Sequence, residues 1–274
     1  MRFHLTIMRP PGWWFSHCFD EVAETLIFGL RALGHECSYS ANAVVSGAQN
    51  ILMGPHLCDP ALQLPEGTIL YNLEQIGNGQ PGAVVPGELT ERFPIWDYSA
   101  RNIARWQEQG IEARYVPVGY VPELTRIHPI ATQDTDVLFY GSLNVRRAVV
   151  LGELQKAADF KVVAYQGFGR ARDEVISRAK VVLNMHFYET PQLFEWVRVS
   201  YLLANHKAVV SEVSDDDPPA LAAGLRIVPH AELADACRAL AADRLGRACL
   251  EQAGFAAFSQ LRERDILEQA LSHL

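Results

Sequence analysis

The sequence predicts an α/β chain made of two Rossmann-like halves, each a parallel sheet flanked by helices. Three observations carry this prediction. Short apolar runs alternate with amphipathic helical segments along the whole chain. Runs such as NILMG (50–54) and GTILYNL (67–73) are apolar on both faces, as strands covered on two sides must be. A stretch at about 117–135, carrying Pro117, Pro122 and Pro129, interrupts the pattern before it restarts.

Taken in order, RFHLTIM (2–8) alternates like a strand, and RPPGWWFS is broken by paired prolines and Gly12. A helix follows, with Phe19, Val22, Ala23, Leu26, Ile27, Leu30 and Leu33 on one face and Gly34 as its stop. ECSYS and the two apolar runs add strands. PIWDYSARNIARWQEQG reads as a strand end and a helix capped by Ser99 and stopped by Gly110. Beyond the prolines, TDVLFYGSL is a buried strand ending at Gly141, RRAVVLGELQKA a helix, FKVVAYQGFG a strand and loop, and ARDEVISRAK a helix. VVLNMH, the apolar helix FEWVRVSYLLAN, KAVVSE, GLRIVP and AELADACRALAAD continue the alternation, and a long terminal helix starts near Leu245. The expected division is 1–120, 121–255 and a terminal helix, 256–274, crossing back to the first half.

The 274 residues suffice for one large core or two small ones, and 49% hydrophobic with 20% charged residues is ordinary for a soluble protein. A net charge of −8 argues against a nucleic-acid binder that works through bulk charge. The N-terminal apolar run is too short for a signal peptide, and no segment reaches the roughly 18 apolar residues of a membrane span. Five scattered cysteines without a C-x-x-C read as free thiols in a reducing cytoplasm, not a zinc or disulfide framework.

Ligands of open parallel sheets bind beyond the carboxyl ends of the strands, so those ends hold the candidate chemistry. Gly141 and Ser142, followed by a helix start with Arg146 and Arg147, suit an anion. After VVLN come His186, Tyr188 and Glu189, then Glu195 and Arg198 three apart on one helix face. That helix is apolar almost all round, and buried charges need partners. A Gly-x-Gly at Gly167 and Gly169 follows another strand. In the first half, Gly12, Trp13 and Trp14 follow strand one, and one of the tryptophans is expected to stack on a ligand. His56 and Glu74 are general-base candidates, and Asp97, Tyr98 and Asn102 follow the next strand. SDDDPP (214–219) reads as a solvated loop.

VPVGYVPEL, DVLFYGSLNVRR, RDEVISRAKVVLNMHFYE and NHKAVVSE, in that order, resemble GT-B glycosyltransferases, in particular the small bacterial proteins of the CgeB group and family 4. The resemblance covers about 115–260. It implies two Rossmann-like domains facing across a cleft, a nucleotide-sugar donor on the second, and an unidentified acceptor on the first. The diphosphate would lie on Gly141 and Ser142 with Arg146 or Arg147, Glu195 on the ribose, and His186 or Glu189 at the sugar. Glu189 matches the first family glutamate, while Val197–Tyr201, where the second belongs, holds none; Glu195 is the nearest acid. His56 or Glu74 would activate the acceptor if the reaction inverts. No metal or cofactor is expected, since helix dipoles and basic side chains meet the leaving diphosphate in this fold. The implied role is metal-independent hexosyl transfer in bacterial polysaccharide or glycoconjugate synthesis, with a non-catalytic binding module or a sugar-nucleotide epimerase as alternatives. No nucleic-acid partner is expected; peripheral membrane contact and a homodimer stay open.

Overall fold

A computed structural model describes residues 1–77, 84–128, 130–190 and 192–272. Pro129 of the proline stretch lies outside them. The chain divides into two compact units, Met1–Val121 with Leu261–Leu274, and Pro122–Gln260.

The first unit runs β1 (Arg2–Ile7), α1 (Asp20–Ala32), β2 (Glu36–Ala41), β3 (Gln49–Met53), β4 (Ile69–Asn72), α2 (Gly87–Thr90), β5 (Ile95–Asp97), α3 (Ala100–Glu108) and β6 (Ala113–Tyr115). The six strands form one parallel sheet in the order β2-β1-β3-β4-β5-β6. Phe3, Leu5, Ile7, Ile51, Leu52 and Met53 are wholly buried, which explains the two-sided apolar runs. The Ser99 hydroxyl accepts from the amides of Arg101 and Asn102 and caps α3 as the sequence predicts. Upstream of α1, where no regular structure was expected before residue 17, Trp14–Phe19 forms a 3-10 helix.

The second unit runs β7 (Thr135–Tyr140), α4 (Val145–Gln155), β8 (Val162–Tyr165), α5 (Gly169–Arg178), β9 (Ala179–Asn184), α6 (Trp196–Ala204), β10 (Val209–Glu212), β11 (Arg226–Val228), α7 (Leu233–Ala242) and α8 (Arg244–Phe258). Its parallel sheet is ordered β11-β10-β9-β7-β8. Val137, Phe139, Val181, Leu183 and Val210 build its core with Val150, Leu154 and Leu233 from the helices.

Each sheet has one place where the chain reverses the side on which it adds strands. In the first unit β2 and β3 flank β1 on opposite sides; in the second, β8 and β9 flank β7. At such a switch the two loops leaving the strand ends diverge and open a crevice for a ligand.

The expected single terminal helix is two. α8 ends at Phe258, and α9 (Glu263–Leu271) belongs to the first unit. The break has a local cause. Arg262 is extended and bridges Tyr120, whose amide donates to the Leu261 carbonyl at 2.7 Å. α9 then packs so closely on α1 that a methyl at Gly29 would stand 2.7 Å from both Glu263 and Leu267.

Candidate functional site

In the second unit the switch lies between β7 and β9, and it gathers most of the expected site residues. The turn after β7 is held by Asn144, whose Oδ1 accepts from the Arg147 amide at 2.9 Å, capping α4. Its Nδ2 donates to the Phe187 carbonyl at 2.6 Å, tying the turn to the loop after β9. Arg147 makes the same link. Its guanidinium is buried between the rings of Phe139 and Phe187 and donates to the carbonyls of Ser142 (2.8 Å), Met185 (2.5 Å) and His186 (3.2 Å). Burial, with Arg198 nearby, lowers its pKa to about 10, so it stays charged at neutral pH.

Arg146 is held just as firmly. It grips the buried Glu212 with both terminal nitrogens, and Nη1 also reaches the His186 carbonyl at 3.2 Å. Burial alone would raise the Glu212 carboxyl; the Arg146 bonds and the His186 amide at 3.1 Å outweigh it, and the group ends below its ordinary value. Glu212, the last residue of β10, was not singled out by the sequence. Its apolar strand gives no sign that a cation lies above its end.

Arg198 faces the glycine turn. A methyl on Gly141 would stand 2.9 Å from Arg198 Nη2, and Gly141 has a φ of 131°, a conformation side chains rarely adopt. The guanidinium lies over Phe139 and Tyr140, and Nη1 donates to Asn184 Oδ1 at 2.7 Å. Glu195 Oε2 stands 3.9 Å away, at the start of α6. Arg198 Nε is buried without a hydrogen-bond partner.

His186 is buried, with Nε2 3.0 Å from the Val213 carbonyl and 3.3 Å from Ser214 Oγ. Tyr188 is half-buried against Phe187 at 5.0 Å between ring centroids, and Glu189 is exposed. Gly167 sits against the Tyr165 hydroxyl, and Gly169 opens α5. The solvated-loop expectation for SDDDPP fails. Asp216 Oδ1 accepts from the Phe194 amide at 2.7 Å, the Asp215 amide donates to the Gln192 carbonyl at 2.7 Å, and Asp217 is half-buried. An amide and a carbonyl of the irregular loop before α6, those of Phe194 and Gln192, supply the partners that a periodicity reading cannot see.

In the first unit, Trp13 and Trp14 follow β1 and the Gly12 turn, 49% and 43% exposed, so neither is a core anchor. Beside them lies a cluster the sequence did not signal. Asp20 pairs with Arg9 and stands 2.8 Å from His17 Nδ1, while Arg9 reaches Tyr39 Oη at 3.1 Å. The i,i+3 spacing of His17 and Asp20 was its only trace. His56 and Glu74 do come together, with Nε2 3.6 Å from Oε1, beyond hydrogen-bond reach. Burial pushes His56 down to about 4, so it is neutral at pH 7. Asp97 is spent internally: it accepts from Asn72, the Ser99 amide, Asn102 and the Trp106 indole at 2.6–3.2 Å.

Among the described residues, no group of three or more His, Cys, Asp or Glu could hold a metal ion, and no helix is long and apolar enough to cross a membrane.

No family model matches the chain. Two curated relatives are uncharacterized proteins of Acanthamoeba polyphaga mimivirus: R358, 24% identical over 200 residues covering 68% of each chain, and L140, 25% identical over 154 residues covering 54% of this chain and 50% of its own. Among solved structures, Anabaena Alr3699/HepE in complex with UDP aligns over 100% of both chains with a TM-score of 0.64 at 10% identity. The DNA-modifying β-glucosyltransferase of phage T4, solved with and without uridine diphosphoglucose, aligns over 98% of this chain and 99% of its own with a TM-score of 0.61 at 13% identity. TarM matches 82% of this chain with a TM-score of 0.59 at 11% identity. The chain spans about half the length of TarM and of L140. Identities this low speak for architecture alone, and the architecture is that of the GT-B glycosyltransferases, two parallel-sheet units in one chain.

Proposed function

We propose that the protein is a glycosyltransferase that takes a hexose from a uridine-diphosphate donor bound on the second unit, without a metal ion. The observation that carries the reading is Arg198. Its Nε is buried unpartnered, and its Nη2 closes on Gly141 in the turn between β7 and α4. A diphosphate over that turn would meet the amides and positive end of an 11-residue helix together with a guanidinium. Arg146 and Arg147, committed to Glu212 and three carbonyls, act at one remove: they hold the turn and the β9 loop in place. When the bond from the sugar's C1 to the phosphate oxygen breaks, the nucleoside diphosphate leaves with the electron pair. Preformed donors at the oxygens that gain charge favour that step. Glu195, at the start of α6, would accept from the ribose hydroxyls, and Glu189 and His186 would meet the sugar. The first unit offers the acceptor Trp13 and Trp14, with His56 and Glu74 as its acid–base pair. The HepE complex with UDP and the T4 enzyme's UDP-glucose complexes support uridine as the base.

Calorimetry with UDP, and release of UDP from UDP-glucose, test this. Wild type is expected to bind UDP and turn over UDP-glucose. Arg198→Ala is expected to weaken UDP roughly tenfold to a hundredfold, the worth of a hydrogen bond to a charged group. An unchanged UDP affinity in Arg198→Ala overturns the assignment. Binding without turnover for every acceptor supplied favours a nucleotide-binding module.

A further inference from the structure

The acidic loop after β10 is built into the donor side of the second unit. It is tied to the segment between β9 and α6 by Asp216 at the Phe194 amide, by Asp215 at Gln192, and by Val213 and Ser214 at His186 Nε2. Asp217 holds the loop from inside, with Oδ2 accepting from the Ser214 amide at 3.0 Å. Two buried polar atoms are left over at this junction, Asp217 Oδ1 and His186 Nδ1, and neither has a hydrogen-bond partner. His186 as a whole is only 1% exposed. Buried polar atoms without partners are costly and rare, and a bound ligand is one way to satisfy them.

Their chemistry limits that ligand. A carboxylate oxygen only accepts. With Nε2–H donating to the Val213 carbonyl, Nδ1 of His186 also accepts. Each of the two atoms therefore calls for an O–H or N–H donor. A cation would suit acceptors too, but among the described residues no group of three or more acids, histidines or cysteines gathers to hold one. The nearby positive charges are already engaged, Arg146 by Glu212 and Arg147 by backbone carbonyls, while Arg198 is turned to the Gly141 side.

We propose that Asp217 and His186 read hydroxyl groups of the donor sugar and select an uncharged hexose over a uronic acid. The proposal rests on the donor site assigned above. Hydroxyls satisfy both acceptors; a uronate carboxylate would meet the like charge of Asp217, and Arg146 and Arg147, engaged elsewhere, would not stand between them.

The test is calorimetry on the full chain with UDP, UDP-glucose and UDP-glucuronic acid, for wild type, Asp217→Asn and Asp215→Asn. Wild type is expected to bind UDP-glucuronic acid roughly tenfold to a hundredfold more weakly than UDP-glucose, the scale of one charged hydrogen bond lost and one repulsion gained. Asp217→Asn should narrow that ratio by about tenfold and leave the UDP affinity as it was. Asp215→Asn, which changes an exposed neighbour and keeps the Asp217 carboxylate, should preserve the ratio. Equal binding of the two sugars by wild type overturns the proposal, as does an unchanged ratio in Asp217→Asn. So does a loss of UDP affinity in Asp217→Asn as large as its loss for UDP-glucose, since that marks a scaffold role. If wild type fails to bind UDP itself, the donor reading falls, and sugar selection falls with it.

Discussion

At the residue scale, three arginines near one turn have three different jobs. Successive side chains leave a helix about 100° apart, so Arg146 turns to Glu212 and Arg147 turns into the sheet. The sequence shows two adjacent cations at a helix start and cannot show which are spent. Arg198, distant in sequence, is placed at Gly141 because β9 lies beside β7. In the Arg146–Glu212 pair the carboxylate is shut from water and the guanidinium is 15% exposed, so removing the carboxylate leaves a largely buried cation without its partner. Glu212→Ala is expected to cost about 3 kcal/mol, read as a lower urea midpoint. It should also weaken nucleotide binding, because the His186 amide loses its acceptor.

At the element scale, the loops after the strands depend on a few buried polar hubs. Asp97, at the end of β5, gathers Asn72 from β4 with Ser99, Asn102 and Trp106 around α3. Asn102 and Asn72 in turn donate to the Glu74 carbonyl, at 2.8 and 3.0 Å, and so fix the loop that presents Glu74. Burial raises the Asp97 pKa to about 6, against four hydrogen-bond partners that lower it. Asp97→Ala leaves buried donors unpaired at a cost on the order of 3 kcal/mol; thermal unfolding should show it as a lower Tm. Asp97 appeared in the sequence as one more polar residue after a strand. Its role depends on partners 25 residues before it and 9 after, which no periodicity records.

At the scale of the whole molecule, the chain's last segment completes its first unit. Glu263 is buried where α9 meets α1, and its Oε2 accepts from the Gly119 amide at 2.6 Å. Burial raises its pKa from the ordinary 4.5 to about 8, the Gly119 bond opposing only part of that. The folded state therefore favours the protonated acid. Its contribution to stability is complete below about pH 4.5 and is lost as the pH rises through about 8. Urea midpoints measured from pH 6.5 to 9 should fall for wild type; below pH 6.5 the loss from Asp97 is offset by His56, whose lowered pKa makes stability rise with pH there. Glu263→Gln keeps an oxygen for the Gly119 amide and should flatten the upper part of that slope; an identical slope in the variant would sink the assignment.

The sequence by itself determined the alternation of strands and helices, the Ser99 cap and the strand ends where polar residues collect. These are local: they follow from side-chain period, from backbone-restricted residues and from caps within a few positions. Only the tertiary structure decided which strand ends share a crevice, which arginine is left at Gly141, that Asp216 and Asp217 face inward, and that His17 meets Asp20 and Arg9. Strand order is not written in any one segment. It is set when two-sided apolar strands compete for neighbours across the chain, and that competition brings residue 141 to residue 198 and residue 186 to residue 214.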